Sequence, residues 1–128
     1  MIKIKNIQEP ALNEDGFRIM VEEICVEDVD FEKSEVNLFL KEIAPSSNCY
    51  AFLNKNNLNF DKFKEQYRSE LKNKKTLQGI IRNLEKENGT ITLLYCSGDP
   101  VNNCAAVLKE KLQGYHVIRG SVSRIHGG

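Results

Sequence analysis

The distribution of hydrophobic and polar positions predicts three strands, each with its own pattern. Residues 2–7 alternate isoleucine with lysine or asparagine, as a strand with one buried face does. Residues 17–25 are rich in β-branched and large apolar side chains, which favours a second strand. Residues 90–95 form a continuous run bounded by Gly89 and by a Ser-Gly pair. Such a run is typical of a strand that is buried on both faces.

Two later segments show the spacing of amphipathic helices. Large apolar residues fall on one face over residues 60–71, and Asn59 is placed to cap that helix. A second helix is predicted to begin at Thr76, and Gly89 is the stop signal expected after its C-terminus. These two segments supply apolar faces that must pack against a sheet.

The C-terminal part is predicted to hold a further helix and a last strand. Asp99 and Pro100 have the residue types of an N-cap and a first helical position, and Gly114 is expected to end that helix. Residues 115–118 are then expected to form a strand, and residues 121–128 a tail.

Shorter elements are predicted in the middle of the chain. Asp30 is placed to cap a helical turn that reaches residue 35. Residues 36–41 are either a short third strand or the end of that turn. Ser47 is placed to cap a short helix, and residues 54–59 read as a polar loop.

The order of these elements predicts an α/β fold. Strand–helix–strand units near the C-terminus imply right-handed crossovers and parallel pairing there. We therefore predict one α/β domain over residues 1–120, with a mixed or largely parallel sheet flanked by helices. The length of 128 residues is that of a single domain.

Composition and charge argue against several classes of partner. The chain carries 18 basic and 18 acidic side chains, so its net charge of zero argues against nucleic acid or anionic lipid held by charge alone. No secretory signal and no run of roughly 20 apolar residues is found, so we expect a cytoplasmic protein without a membrane partner. In that compartment the four cysteines are expected to be thiols, namely Cys25, Cys49, Cys96 and Cys104.

Five motifs occur in an order that resembles a known family. They are MIKIKNIQEP, EDGFRIMVEE, LFLKEIAPS, FKEQYRSEL and TLLYCSGDPVNNCAAVLKEKL. Together they resemble the small bacterial proteins of domain-of-unknown-function family 488 (DUF488), most closely its YeaO-like branch, over residues 1–118. The resemblance implies a three-layer α/β fold. It implies no reaction, since the family is named for the lack of one.

The first site motif of that family is altered in this chain. In the family it reads Val-Asp-Arg-Leu-Trp-Pro-Arg-Gly, and residues 21–28 match it. Both arginines are replaced by carboxylates, Glu23 and Glu27, and the Trp-Pro pair by Cys25 and Val26. Because carboxylates repel the anions that an arginine pair binds, we expect any anion-binding activity of the family to be lost or changed here.

The second site motif follows the late strand. In the family it reads Cys, seven residues, then Cys-His-Arg, and in the YeaO-like branch it is nearer to Asn-His-Ala. This chain has Cys96 and Asn103, followed by Cys104-Ala-Ala, so the His-Arg pair is absent. The positive charge of the family is therefore missing from both motifs.

Cys96 is the candidate nucleophile or redox group. It ends a strand at the crevice where α/β proteins place ligands, and a following helix N-terminus can lower the pKa of a thiol. An inert buried thiol is the favoured alternative, because no His or Lys is visibly placed to activate Cys96. Cys104 lies on an apolar stripe and is assigned to the core.

The predicted cleft combines the acidic loop after the second strand with the turn after the late strand. Gly98 permits close backbone approach, and the amides from Val101 onward are expected to be available to a small anion. The cleft residues are Glu23, Cys25, Glu27, Cys96, Ser97, Gly98, Asp99 and Asn103. A zinc site needs about four ligands in tetrahedral array, and the spacing does not supply them, so no metal site is predicted.

The function predicted from these residues is that of a small-ligand-binding protein or a relic enzyme. Whether the chain is an enzyme stays open, and no cofactor is assigned. One alternative is a regulatory or nucleic-acid-binding module that uses the basic segment 62–75, although Glu65 and Glu70 interrupt its charge. The other is a protein-interaction domain with an exposed apolar patch. The oligomeric state is not predicted.

Overall fold

Four parallel strands form the central sheet of this chain. The computed structural model describes residues 1–54 and 57–120. The strands of the sheet are β1 (Ile2–Asn6), β2 (Phe17–Met20), β3 (Leu38–Phe39) and β6 (Ile91–Tyr95), in the order β1-β6-β2-β3. A separate antiparallel hairpin consists of β4 (Leu53–Asn54) and β5 (Asn57–Leu58).

Strand β6 lies at the centre of this sheet, as its continuous sequence pattern predicts. All five of its residues are buried. Ile91 pairs with Ile2 of β1 on one side and with Phe17 of β2 on the other, and both pairings are parallel. The parallel sheet predicted from the order of elements is therefore confirmed.

The helices pack on one face of the sheet. They are α1 (Ser47–Tyr50), α2 (Phe60–Leu71), α3 (Lys75–Asn88) and α4 (Cys104–Gly120). Every one of them contributes to a single apolar cluster that also contains Ile19 of β2 and Ile91, Leu93 and Tyr95 of β6. Because side chains alternate along a strand, these sheet residues all point to the same side.

The opposite face is covered by loops and 3-10 turns in place of helices. Its apolar cluster is small and consists of Ile7, Met20 and Leu94, flanked by Cys25 and Cys96 among others. The covering segments are residues 7–16, with a 3-10 turn at Asn13–Asp15, and residues 21–37, with a 3-10 turn at Val26–Asp28. The molecule is thus an α/β protein of helix, sheet and loop layers.

Buried charges attach the loop layer to the sheet. The Arg18 side chain, 3% exposed, donates to Asp15 Oδ2 at 2.7 Å and to the Ser34 carbonyl at 2.8 Å. Lys5 Nζ lies 3.0 Å from the same Asp15 oxygen. The Thr92 hydroxyl donates to the Asp15 carbonyl at 2.7 Å, which links this network to the central strand.

The predicted helices over 60–71 and from Thr76 are confirmed. Asn59 Oδ1 accepts a hydrogen bond from the Lys62 amide at 3.1 Å, as an N-cap does. Gly89 ends α3 with a φ of 79°, a left-handed conformation that glycine adopts without strain. The sequence signals at these helix ends were therefore sufficient to place them.

Two predictions for the C-terminal part are wrong. Helix α4 begins at Cys104 and not near Pro100, and it continues through Gly114 to Gly120, where the strand over 115–118 was expected. An interior glycine costs about 1 kcal/mol relative to alanine, which other helical contacts can offset. The predicted tail, residues 121–128, lies outside the described residues.

The short middle elements are partly as predicted. The turn after Asp30 forms, with Asp30 Oδ1 accepting from the amide of Lys33 at 3.0 Å. The third strand is real but spans only Leu38–Phe39. Ser46, the residue before the predicted Ser47, caps α1. Part of the predicted polar loop over 54–59 forms the β4–β5 hairpin, and residues 55–56 lie outside the described residues.

Candidate functional site

The ends of β2 and β6 bring a buried carboxylate to the edge of the sheet. The two strands pair in parallel, with Met20 opposite Leu94, so the residues that follow them lie side by side. Glu22 comes two residues after β2 and is 0% exposed. Cys96 and Ser97 come directly after β6. A buried carboxylate is costly unless donors surround it, so the partners of Glu22 define the site.

Glu22 accepts hydrogen bonds from both backbone and side-chain donors. Its Oε1 accepts from the Cys96 amide at 2.7 Å and from the Ser97 amide at 2.9 Å. Its Oε2 accepts from the hydroxyl groups of Ser97 and Tyr50. We call Glu22, Tyr50, Cys96 and Ser97 the Glu22 cluster. Two backbone amides and two hydroxyls compensate one negative charge, which is how a protein binds a small anion.

Tyr50 is the member of the Glu22 cluster that the helix layer supplies. It lies at the end of α1, and its ring packs against Phe63 with centroids 5.5 Å apart. Burial raises the pKa of Tyr50, and nearby Cys104 and Glu22 raise it further. The phenol therefore stays protonated and acts as a hydrogen-bond donor to the carboxylate.

An open cleft of about 510 Å³ lies next to the Glu22 cluster. We call it the Ser97 cleft, and its lining residues are Ile24, Tyr50, Leu53, Phe60, Ser97, Gly98, Asp99 and Asn102. Ile24, one of the apolar lining residues, is 57% exposed. No lysine, arginine or histidine among the described residues lines this cleft. One wall is thus apolar and aromatic, and the other is polar with a carboxylate.

The loop after Ser97 folds back on itself. Asp99 Oδ1 accepts from the amides of Val101 and Asn102 at 2.8 and 2.7 Å. Gly98 has a φ of 95°, and a Cβ at that position would lie 2.2 Å from the Asn102 carbonyl oxygen. The expectation that amides from Val101 onward are free for an anion is therefore wrong for Val101 and Asn102, because the chain's own Asp99 binds them.

Asn103 has a structural position at the start of α4. It is 2% exposed. Its Oδ1 accepts from the Ala106 amide at 2.8 Å, and its Nδ2 donates to the Asp99 carbonyl at 2.9 Å. Asn103 is therefore the true N-cap of the helix, and its side chain holds the Asp99 turn against the helix start.

Cys25 and Cys96 are joined in a disulfide bond, with their Cα atoms 6.4 Å apart. The expectation that all four cysteines are thiols is thus wrong for this pair, although Cys49 and Cys104 are free and buried. The pair lines a second cleft of about 540 Å³, which we call the Cys25 cleft. Its other walls include Pro10, Asp28 and Lys33. The two cysteines and Ser97 therefore line two different clefts.

Of the remaining residues predicted to line a cleft, three do so and two do not. Ser97, Gly98 and Asp99 line the Ser97 cleft. Glu23 and Glu27 are exposed in the loop after β2, and neither lines one of the two clefts. The structure thus brings the turn after β6 into a cleft and leaves the two carboxylates that replace the family arginines in solvent.

Glu22 and Tyr50 are the residues that sequence reasoning missed. A glutamate in an acidic run after a strand reads as exposed, and nothing local indicates its burial. One available signal was that Glu22 occupies the aspartate position of the family's Val-Asp-Arg motif, so its acidic character is kept where both arginines are lost. Tyr50 is 28 residues away and gives no such signal.

The other surfaces considered from the sequence offer fewer groups that could bind a ligand. Within residues 1–54 and 57–120, no three His, Cys, Asp or Glu side chains converge on one point where a metal ion could bind. On the basic segment, Lys64 and Arg68 both pair with Glu110 of α4. Over the part of the chain that the structure describes, no helix has both the length and the apolar character needed to cross a bilayer.

Comparison with known proteins agrees with the resemblance read from the sequence motifs. The family model of the inactive DUF488-N3 subclade (DUF488-N3i) matches residues 1–118. The uncharacterized protein YeaO of Escherichia coli strain K12 is 27% identical over 112 residues, which cover 88% of this chain and 96% of that protein. No solved structure matches the chain.

Proposed function

Since the chain belongs to the inactive DUF488-N3 subclade, we propose that it is a cytoplasmic binding protein without catalytic activity, a relic of an enzyme. Its site is the Ser97 cleft, and its ligand is an uncharged or cationic small molecule with an apolar part. The observation that carries this proposal is the position of the Glu22 carboxylate on the amides that follow β6.

The Glu22 cluster supports the exclusion of anionic ligands. The amides of Cys96 and Ser97 are the donors that an anion at the end of β6 would need, and Glu22 already occupies both of them. A second negative charge beside this buried carboxylate would be repelled at short range in a medium of low dielectric constant. The side chain of Glu22 therefore takes the place of the anion.

Asp99 supports a preference for cations. Hydrogen bonds from Asn102 and Val101 lower the pKa of Asp99, so its carboxylate is ionised at neutral pH. It lines the Ser97 cleft together with apolar and aromatic residues such as Ile24 and Phe60. A ligand with an ammonium or amide donor on a small apolar body complements both walls.

The state of the cysteines supports the absence of catalysis. Cys96, the predicted nucleophile, is bonded to Cys25 and has no thiolate to offer in that state. The Ser97 hydroxyl donates to Glu22, whose two oxygens also accept from three other donors, so the hydroxyl does not face a base with a free acceptor site. The two alternatives, a nucleic-acid-binding module and a protein-interaction domain, stay predictions. The pairing of Lys64 and Arg68 with Glu110 reduces the free positive charge for the first of them.

A pair of matched probes tests the charge preference of the Ser97 cleft. Phenethylamine and phenylacetate share a ring and differ in the sign of their charge. We expect phenethylamine to shift the amide resonances of Ser97, Gly98 and Asn102 in the nuclear magnetic resonance (NMR) spectrum, and phenylacetate and inorganic phosphate to leave them unchanged. Asp99→Asn keeps the hydrogen-bond acceptor and removes the charge, and should weaken phenethylamine binding about fivefold, the size expected for an exposed ion pair. Tighter binding of phenylacetate or phosphate would contradict the proposal.

Acetate rescue tests the role of Glu22 itself. Glu22→Ala removes the carboxylate and leaves the two amides and two hydroxyls of the cluster without their acceptor. We expect this variant to melt at a lower temperature and to be restabilised by added acetate, which reproduces the lost group. Glu23→Ala, an exposed neighbour, serves as control and should show no acetate effect. Equal acetate responses in the two variants would mean that the cluster does not bind an anion.

A further inference from the structure

We propose that Cys25 and Cys96 form a reversible dithiol–disulfide pair, whose oxidation by a low-molecular-weight disulfide clamps residues 23–29 onto the end of β6. This proposal concerns the Cys25 cleft and does not depend on the ligand proposed for the Ser97 cleft. It rests on two comparisons. One is between the exposure of two pairs of cysteines, and the other is between the contacts that hold the two halves of loop 21–37.

The four cysteines divide into an accessible pair and two inert thiols. Cys25 and Cys96 are partly exposed and line a cleft of about 540 Å³, which has room for a small thiol compound. Cys49 and Cys104 are buried. Burial and the nearby Glu70 raise the pKa of Cys49 to about 12, and burial raises that of Cys104 well above its ordinary value. Only the first pair is therefore open to thiol–disulfide exchange.

The exchange step balances with one co-reactant. One protein thiolate attacks a sulfur of the small disulfide, and a mixed disulfide forms as the first small thiol leaves. The second protein thiolate then attacks the protein sulfur of that mixed disulfide and releases the second small thiol. The Cys25–Cys96 bond forms, the two cysteines lose two electrons and two protons, and the small disulfide gains them. The same route in reverse, driven by excess small thiol, reopens the bond.

The C-terminal half of loop 21–37 is held without the disulfide. The Arg18 side chain donates to the carbonyls of Ser34 and Glu35 at 2.8 and 3.2 Å, and the Asn37 amide donates to the Arg18 carbonyl at 2.9 Å. The ring of Phe31 meets that of Phe39 edge-on, with centroids 5.4 Å apart. This half should therefore keep its position when the disulfide opens.

Residues 23–29, in the N-terminal half of the loop, have fewer directed contacts with the rest of the chain, although Val29 packs against the cluster of Ile7, Met20 and Leu94. The backbone hydrogen bonds within residues 23–29 are local: the Val26 amide donates to Glu23, that of Asp28 to Cys25, and that of Val29 to Val26. The bond to Cys96 joins this segment covalently to a residue 71 positions away. Because the Cys96 amide also donates to Glu22, the clamp ends at a member of the Glu22 cluster.

Redox titration of the full chain tests the pair. The protein is equilibrated with reduced and oxidised glutathione, quenched in acid, alkylated and analysed by mass spectrometry. We expect glutathione disulfide to link Cys25 to Cys96 while Cys49 and Cys104 remain thiols, and excess reduced glutathione to restore all four. Cys25→Ser should trap glutathione on Cys96, and Cys49→Ala/Cys104→Ala should leave the linkage unaffected. Four free thiols in glutathione disulfide, or a linkage that excess reduced glutathione does not open, would overturn the proposal.

Hydrogen exchange tests the clamp separately. Reduction should raise the amide exchange rates of Val26, Asp28 and Val29 by about tenfold or more, and leave those of Val36 and Asn37 unchanged. An equal response in both halves, or no response in either, would overturn the assignment of the clamp to residues 23–29. Cys25→Ser/Cys96→Ser should show the exchange rates of the reduced protein under all conditions.

Discussion

The two faces of the central sheet are stabilised in different ways. On the helix face, residues such as Ile19 and Leu93 pack against side chains from all four helices, and the cluster is almost wholly apolar. On the loop face, the apolar cluster is reduced to Ile7, Met20 and Leu94, and a buried Lys5–Asp15–Arg18 network fills the space beside it. The helix face is therefore stabilised by the burial of apolar surface, and the loop face by specific ion pairs and hydrogen bonds.

This difference explains where the candidate site lies. The Glu22 cluster and the Cys25–Cys96 bond are both at the end of β6, where the helix layer and the loop layer meet. Loops that depend on a few directed contacts can rearrange at lower cost than packed helices. The candidate site and the disulfide thus lie beside the loop layer, and the helix layer supports them through Tyr50 and Phe63.

Tyr67→Ala should break the helix face and have the largest effect on stability. Tyr67 is 0% exposed, and its hydroxyl donates to the Ile43 carbonyl at 2.7 Å. We expect the free energy of unfolding to fall by about 4 kcal/mol, because a large cavity forms in a packed core. Tyr67→Phe keeps the ring and should cost only about 1 kcal/mol through the lost hydrogen bond. Urea unfolding measures both, and equal losses would mean that the ring contributes little.

Arg18→Met should break the loop face with a somewhat smaller effect. It removes the cation that contacts Asp15 and leaves the carbonyls of Ser34 and Glu35 without that donor. We expect a loss of about 3 kcal/mol, because one partner of a buried ion pair is deleted. Arg68→Met, the same substitution in an exposed pair with Glu110, should cost less than about 1 kcal/mol. Similar losses in the two variants would show that the network contributes no more than a surface pair.

The helix face is also the part that the sequence predicts well. The spacing of Phe60, Phe63 and Tyr67 identifies α2, and the continuous run at residues 91–95 identifies the central strand, because periodicity reports burial directly. The start of α4 was misplaced for a physical reason. An aspartate that accepts from the amides two and three residues ahead has the same residue signature whether it begins a helix or only a turn. Asp99 begins a turn, and Asn103 begins the helix.

The candidate site is less predictable than the helix face because its contacts are not local. The donors that surround Glu22 include Tyr50, 28 residues away, and Ser97, 75 residues away. The disulfide joins positions 71 residues apart. No periodic pattern encodes such contacts, since each depends on the position of a loop after folding. The turn Ser97–Asp99 was identified only because ligands of α/β proteins bind at strand ends.

Gly16→Ala should disrupt the turn that leads from the loop layer into β2, at intermediate cost. Gly16 has a φ of 66°, and an added Cβ would lie 2.1 Å from the Thr90 carbonyl oxygen. We expect a loss of about 2 kcal/mol from backbone strain and displacement of the turn. Gly79→Ala is the matched control in α3, where an added Cβ meets nothing within 4 Å. It should stabilise the protein by about 0.5 kcal/mol, and a loss in that variant would contradict the packing assigned to α3.

The decrease of stability in acid should distinguish two hydrogen-bonded carboxylates, Asp15 on the loop face and Glu70 in the helix layer, with the smallest effect of the four predictions. Burial alone would raise the pKa of Asp15, but the Leu12 amide, Lys5 and Arg18 outweigh it and lower the pKa. In the helix layer, partial burial alone would likewise raise the pKa of Glu70. Hydrogen bonds from Ser46 and Gln66 outweigh burial and lower the pKa.

Both folded-state pKa values lie below those of the unfolded chain, so each carboxylate contributes stability above its unfolded-state pKa and loses it as pH falls through the folded value. The free energy of unfolding should therefore decrease from about pH 5 downward. Asp15→Asn and Glu70→Gln should each flatten that decrease, and Glu23→Gln, in an exposed side chain, should not. Because Asp15 is held by two cations and Glu70 by neutral donors, only Asp15→Asn should also leave a buried positive charge uncompensated. It should therefore lower stability at pH 7 more than Glu70→Gln does, and the reverse order would contradict the charge network assigned to the loop face.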